Sequence, residues 1–461
     1  MLFNSWIFVV FFICTLGITA ALKRTGFWLH WLLFASYFFY GWLNPLFLIL
    51  IAYSTVIVYF AGLNVDTGKN AKSRKLWLAV SILNSVFLLG FFKYAGFMTE
   101  NLNFILDALG ISSKIPDPGF ILPVGISFYT FIGLSYVIDV YKGKIQSERN
   151  FIRLAVFVSF FPYLLAGPIE RAKNMLPQLS SPPEITAGGI AEGSSLFIVG
   201  LFKKVAIADF LSLYVNRIYE SPSEFQALTL LVATYAFTWQ IYFDFSGYTD
   251  MARGCARMFG FKLMLNFNNP YLSTGLGEFW QRWHISLSSW FKDYIYIPLG
   301  GNRRSRFGTY RNMVLTMLIA GLWHGAAWNF VIWGGLHAFG RTVTRELERT
   351  RFYSERIPKI IKQIAVFHFV CLTWIFFRAE TFGDAISVIA GIFSFAPGDP
   401  RFPIIAILLI LGVLLYQLMY ESKFKRILEV SFVRIGIAVA MILYLFFFRT
   451  SGYEVFYYFR F

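Results

Sequence analysis

Apolar residues in this chain come in long runs and not in alternation. Twelve stretches dominate: roughly 3–22, 26–43, 46–62, 76–98, 119–140, 154–168, 190–216, 225–243, 312–340, 363–377, 403–420 and 432–448. A run of about 20 apolar residues is what a helix needs to cross the hydrocarbon core of a bilayer. Backbone polar groups at that depth must be bonded within the segment, so helices are favoured over irregular chain. The pattern therefore predicts an all-α fold: a polytopic membrane protein with about 11–13 membrane helices, re-entrant or half-helices included. Interfacial helices are expected on the cytoplasmic side, and no tandem repeat marks a second domain, so residues 1–461 are read as one domain.

The polar segments between runs supply the orientation. Residues 63–75 hold Lys69, Lys72, Arg74 and Lys75 against one acid, and 141–153 hold Lys142, Lys144, Arg149 and Arg153 against Glu148. Both are expected in the cytoplasm, because basic loops resist translocation. The loop 99–118, with Glu100, Asp107 and Asp117 against Lys114, is expected outside, as is the slightly acidic 378–402. Alternation then puts both termini on the periplasmic face. Phe3–Leu22, followed by Lys23 and Arg24, reads as a signal anchor and not as a cleaved leader. Residues 169–224 mix charges and rank with neither side.

The stretch 312–340 breaks the alternation. It is uncharged over 29 residues, yet both flanks are basic: 244–311 with nine basic and four acidic residues, 341–362 with seven and three. Two cytoplasmic flanks point to a re-entrant hairpin or two half-helices meeting near mid-membrane. His324 then lies deep, where irregular backbone survives only inside protein or along a cavity.

Composition narrows the class further. The chain is 57% apolar and 14% charged, against about 25% charged in soluble domains. Disorder, coiled coil and disulfide scaffold are excluded. The net charge of +16 would suggest nucleic acid in a soluble protein, but cytoplasmic loops explain it here, and no nucleic acid is expected. Cys14, Cys255 and Cys371 form no metal-ligand spacing, so no metal is expected.

Five histidines carry the candidate chemistry. An ionisable group inside a membrane segment is a functional hypothesis by default. His324 sits in Gly321-Leu322-Trp323-His324-Gly325-Ala326-Ala327-Trp328, where small neighbours leave room for substrate and Trp323 and Trp328 can line a slot. A neutral imidazole there can take a proton from a hydroxyl. His284, in Phe279-Trp280-Gln281-Arg282-Trp283-His284, is either a second imidazole under the first or an interfacial anchor. His30, His337 and His368, each alone in an apolar helix, read as structural. Asp244 and Asp250 are six apart, off a common helical face; Asp244 ending one helix and Ser246 or Asp250 capping the next is favoured. The turn Gly300-Gly301-Asn302-Arg303-Arg304-Ser305-Arg306 suits phosphate oxygens or anionic lipid head groups, the second more often.

At these residues the chain resembles a known family. Tyr242–Asp250, Asn266–Tyr271, Glu278–Leu287, Asp293–Gly301 and Leu322–Ala326, with the earlier Phe92–Ala95, Leu122–Thr130, Tyr136–Tyr141 and Leu165–Glu170 and the aromatic tail Phe456–Phe461, are similar to the membrane-bound O-acyltransferases. Within them the bacterial branch that O-acetylates alginate is nearest. The resemblance runs over essentially the whole chain. It implies transfer of an acyl group, commonly acetyl, from a cytoplasmic thioester such as acetyl-CoA or an acyl carrier protein. The group passes through the inner membrane to a periplasmic acetyltransferase partner and on to a secreted polysaccharide. No bound cofactor is implied. His324 matches the family's essential histidine and His284 its second one. Trp323, Asp244, Arg282, Arg303 and Arg304 are then expected to touch substrate, and Gln281 departs from an expected arginine. Alternatives are D-alanyl transfer to teichoic acid on the same fold, and a polysaccharide transporter without chemistry. A transporter should show pseudo-symmetric halves, and none is visible.

Overall fold

The computed structural model describes residues 1–68, 70–303, 305–448 and 457. Helices dominate, and no strand occurs among the described residues. The first helices are α1 (Trp6–Leu22), α2 (Trp28–Gly41), α3 (Phe47–Thr67), α4 (Ala71–Ala108), α5 (Ile126–Tyr141), α6 (Phe151–Ser159) and α7 (Ala172–Gln178). There follow α8 (Ala187–Phe202), α9 (Asp209–Tyr219), α10 (Ala227–Met258), α11 (Leu276–Arg282) and α12 (Ile285–Phe291). The rest are α13 (Arg306–His324), α14 (Trp328–Leu347), α15 (Lys359–Arg378), α16 (Phe382–Phe393), α17 (Ile404–Tyr420) and α18 (Ser431–Phe447).

Local chemistry starts several of these helices. Ser5, Asn70 and Asn150 each accept a hydrogen bond from a first-turn amide (Phe8, Ser73 and Arg153), satisfying donors that the helix cannot. Thr381 and Asp384 form a reciprocal capping box on α16. By length and composition α3, α4 and α15 can each cross a membrane, and α1, α5, α16, α17 and α18 are shorter apolar helices. Their outward faces are apolar: Trp6, Val10 and Ile13 on α1, and Phe432, Ile435 and Phe446 on α18, are exposed. Such faces require lipid for a solvent. The protein is a polytopic, all-α membrane protein.

Three expectations are corrected. The loop expected at 99–118 begins only after Ala108, because nothing in 95–108 interrupts α4 and the chain first turns at Gly110. The run 154–168 is not one span. Pro162 breaks it into α6 and the short helix Phe161–Leu164, and a nine-residue helix reaches only about 14 Å. The interval 378–402 is not plain loop but contains α16.

The chain divides into two compact units that alternate along the sequence. One comprises Met1–Ser194, Ala252–Met264 and Gly325–Ala327. Its core is aromatic: the Phe161 ring meets Phe39 at 5.5 Å and Phe259 at 5.9 Å, and Leu154–Ala166 are buried. The other comprises Ser195–Met251, Leu265–His324 and Trp328–Phe461. Here α10 continues straight through Asp244–Asp250, so the helix break expected there does not occur. Ser246-Gly247 serves contact instead of a turn. A Cβ on Gly247 would lie 2.7 Å from the Gly200 carbonyl oxygen of α8, and one on Gly200 2.5 Å from that of Gly247. The backbones cross too closely for any side chain at either position.

Candidate active site

The site is built on α13 and α14, an antiparallel hairpin turned by residues 325–327. The two helices pack backbone to backbone. A Cβ on Gly321 would lie 2.2 Å from the Phe330 carbonyl oxygen, and one on Gly334 2.4 Å from that of Met317. The uncharged stretch 312–340 is thus a hairpin and not one long helix. His324 is the last residue of α13. Counted from Asn312, where the uncharged sequence begins, it lies about 18 Å along the helix.

His324 is 4% exposed. Rings stand around its imidazole: Trp323 at 5.0 Å, Trp333 at 5.0 Å and Phe377 at 5.3 Å. On its remaining side it lines a cavity of about 470 Å³. Trp280, Gln281, Ser288 and Ser289 contribute to that cavity, with Thr316 and Ala320 from α13. Among the described residues its charged lining is basic: Lys292, Arg341 and Arg345. Arg341 also meets Glu348 at 3.2 Å, and Arg345 donates to the Asn302 side-chain oxygen at 3.2 Å.

His284 is 1% exposed and precedes α12. Its backbone is left-handed, φ 42 and ψ 55, a conformation that costs a non-glycine residue on the order of 1–3 kcal/mol and persists only where neighbours enforce it. The neighbours are visible. Asn268 N–H donates to the Arg282 carbonyl and Ile285 N–H to the Asn266 carbonyl, each at 2.9 Å, bracketing the strained residue. The Asn266 side-chain oxygen accepts from the Ser286 amide (3.2 Å) and hydroxyl (2.9 Å) and stands 3.0 Å from His284 Nδ1. Burial drives the His284 imidazole down from 6.5 to about 3, so it is neutral at ordinary pH. The Trp323 indole packs against both histidines, 6.2 Å from His284 and 5.0 Å from His324.

The other sequence-predicted residues lie elsewhere. Asp244 is buried in the middle of α10, 2.7 Å from Lys204 Nζ, and accepts the Tyr457 amide at 2.7 Å. Arg282 bridges Glu278 (3.0 Å) and Glu421 (2.7 Å). Arg303 is an exposed turn residue, and neither it, Asp244 nor Arg282 lines the cavity. Arg304 falls outside the described residues, as does the aromatic tail apart from Tyr457. Trp328 is 59% exposed, and Trp333 takes the place expected of it beside His324.

Sequence reasoning missed Arg341, Arg345 and Asn266. The two arginines are four apart at the end of the helix that follows His324, a spacing that shares one face. They counted only as loop charge, although that spacing was the available signal. Asn266 opens the segment Asn266–Tyr271 singled out above, but its partner is 18 positions away, so its role was not readable.

Comparison with known proteins gives a consistent picture. Residues 144–382 match the model of the membrane-bound O-acyltransferase family. The chain is 43% identical over 79% of its length to a probable alginate O-acetylase of Azotobacter vinelandii, of which 72% is covered. It is 37% identical over 85% of its length to a peptidoglycan O-acetyltransferase of Helicobacter pylori, 79% covered. A teichoic acid D-alanyltransferase of Bacillus subtilis is 29% identical over 58% of this chain, 71% covered.

Proposed function

The chain belongs to the membrane-bound O-acyltransferase family and is an O-acyltransferase, and from that premise we propose that it passes an acetyl group from a cytoplasmic thioester across the inner membrane, for O-acetylation of a secreted polysaccharide such as alginate. The whole chain acts as one acyltransferase domain, since its relatives match across both compact units. Both termini face the periplasm, as the distribution of basic loops favours.

One observation carries the reading: a buried imidazole at the turn of a hairpin, on the wall of a cavity lined by Lys292, Arg341 and Arg345. Along α14, Arg341 and Arg345 lie about 12 and 18 Å beyond Trp333, which packs on His324. An extended pantetheine arm, with bonds like those of a peptide, spans roughly 15 Å. An arm whose thioester reaches His324 therefore brings its phosphate to the arginines, which fork onto phosphate oxygens. The donor is acetyl-CoA or an acylated carrier protein; both present that arm.

In the transfer step His324 removes the proton from an acceptor hydroxyl as its oxygen attacks the thioester carbonyl. The carbon–sulfur bond breaks, and the thiolate leaves with the proton from the imidazolium. That proton reaches the thiolate by way of His284, which takes it from the His324 imidazolium and gives it up again. The aromatic wall of Trp323, Trp333 and Phe377 keeps water from the acyl group. The acceptor is a periplasmic acetyltransferase, which hands the acetyl group to the polymer.

His324→Ala tests this. The polymer should still be exported while its O-acetyl content falls by at least about 100-fold. Wild-type acetylation in that variant, with the protein present in the membrane, would defeat the role given to His324. D-alanine esters in place of acetyl esters would identify a different acyl group on the same machinery.

A further inference from the structure

His284 lies at a strained turn, and the Asn266 side-chain oxygen meets its ring at 3.0 Å, nearer than the Ser286 hydroxyl at 3.4 Å from the same nitrogen. Asn266 is itself fully buried. Phe245, Phe267 and Trp323 pack around the same imidazole, at 4.7, 6.4 and 6.2 Å, and none of them titrates. Backbone bonds at Ile285 and Asn268 hold the turn, and the Asn266 side chain adds the bonds from Ser286.

We propose that Asn266 is a positioning residue of the acyl transfer: its side-chain oxygen keeps the proton of His284 on Nδ1, which puts the basic lone pair on Nε2. The inference rests on the reading of His284 as the proton relay.

Hydrogen-bond chemistry fixes the assignment. The Ser286 backbone N–H donates to Asn266 Oδ1 at 3.2 Å, and a backbone N–H cannot accept, so that atom is the amide oxygen and not the nitrogen. An amide oxygen cannot donate, so Nδ1 of His284, 3.0 Å away, must carry the hydrogen. A neutral imidazole with its hydrogen on Nδ1 has its lone pair on Nε2. Burial keeps the ring neutral at rest, its value being about 3. The amide also suits a relay. It accepts Nδ1–H whether the ring is imidazole or imidazolium, and it adds no negative charge that would trap the proton. A carboxylate in its place would favour the imidazolium and raise the pH at which the ring loses its proton.

The test uses inverted membrane vesicles from the producing host, carrying the full chain and its native partners. Acetyl-CoA is the probe, and thiol release is followed across the pH range. Asn266→Leu should lower kcat about 10–100-fold, the usual effect of removing a partner that orients an imidazole, with KM changed less than about twofold. Ser286→Ala keeps the bond between Nδ1 and Asn266 and should stay within about twofold of wild type. Asn266→Asp keeps the acceptor, so its kcat at high pH should stay near wild type, while the acid limb of its profile moves up by about one pH unit or more. A merely structural residue would not shift that limb.

Unchanged kcat in Asn266→Leu, or a wild-type pH profile in Asn266→Asp, overturns the proposal. Where Asn266→Leu fails to reach wild-type amounts in the membrane, Asn266→Asp decides alone. His284→Ala separates the two levels. If it is inactive while Asn266→Leu is active, this inference falls and the relay reading stands; if it keeps wild-type rates, both fall.

Discussion

Two groups of buried polar side chains occupy the second compact unit, and they are arranged in opposite ways. Around α10, Lys204 Nζ lies 2.6 Å from Asp209 and 2.7 Å from Asp244, while the adjacent Lys203 meets Asp250 at 2.7 Å. A turn of π-helix, Lys203–Ala208, lets consecutive lysines reach two carboxylates on one helix. The Tyr457 amide completes the shell of Asp244. These charges face one another. Around His324 the neighbours are rings, and one side opens onto a cavity with basic walls. In an apolar chain a saturated charge cluster holds helices together, whereas a buried titratable group with room beside it can act on a substrate.

The sharpest way to break this contrast is to leave a charge of the first group without its partner. Asp244→Ala removes one carboxylate from Lys204 and should destabilise the fold by about 3–5 kcal/mol. The readout is thermal unfolding and the amount of protein in the membrane. If instead the variant folds normally and loses transfer, Asp244 belongs with the chemistry, and the contrast fails.

A pH series probes the second group. The His284 value falls from 6.5 in the unfolded chain to about 3 in the fold, through burial. The unfolded chain then binds the extra proton between those values. Stability from this group is complete above about pH 6.5 and is lost as pH falls toward 3, by about 1.4 kcal/mol per pH unit. Unfolding in detergent from pH 7 to pH 5 should therefore be steeper for wild type than for His284→Gln. Equal slopes would show that the imidazole is not buried neutral.

Smaller effects sharpen the picture. Arg341→Ala or Arg345→Ala should raise KM for acetyl-CoA about tenfold, roughly 1.4 kcal/mol, with kcat nearly unchanged, as expected for contacts equal in ground and transition states. Loss in kcat with constant KM would remove the arginines from donor binding. Arg282→Ala should do least. Its pairs with Glu278 and Glu421 are partly exposed, worth at most about 1 kcal/mol, and transfer rates should stay at wild type.

Legibility from sequence differed between fold and site. Runs of twenty apolar residues announce helices because the signal adds residue by residue, and the all-α membrane class followed from it. Boundaries were less secure where a breaker was misjudged: Asp244–Asp250 was read as ending one helix and starting the next, but Gly247 there serves a helix crossing, while Pro162 does interrupt its run. In the site, the hairpin that carries His324 was readable from the uncharged stretch between basic flanks. The surroundings of Asp244 were not, because its partners lie on other elements, Tyr457 being 213 positions away.

What the amino-acid order determined alone was solvent and placement: which segments require lipid, which loops carry positive charge, and that one histidine stands at the turn of a charge-free hairpin. These are properties of single residues and near neighbours, and they sum along the chain. Only the tertiary structure decided which polar groups meet: Lys204 with two carboxylates, Asn266 with His284, Arg341 and Arg345 with the cavity at His324. Pairing over such separations depends on helix crossings set by close backbone approach, as at Gly200 and Gly247 or Gly321 and Phe330. A crossing exists only once both helices are in place, so its consequences are written in three dimensions and not in the order of residues.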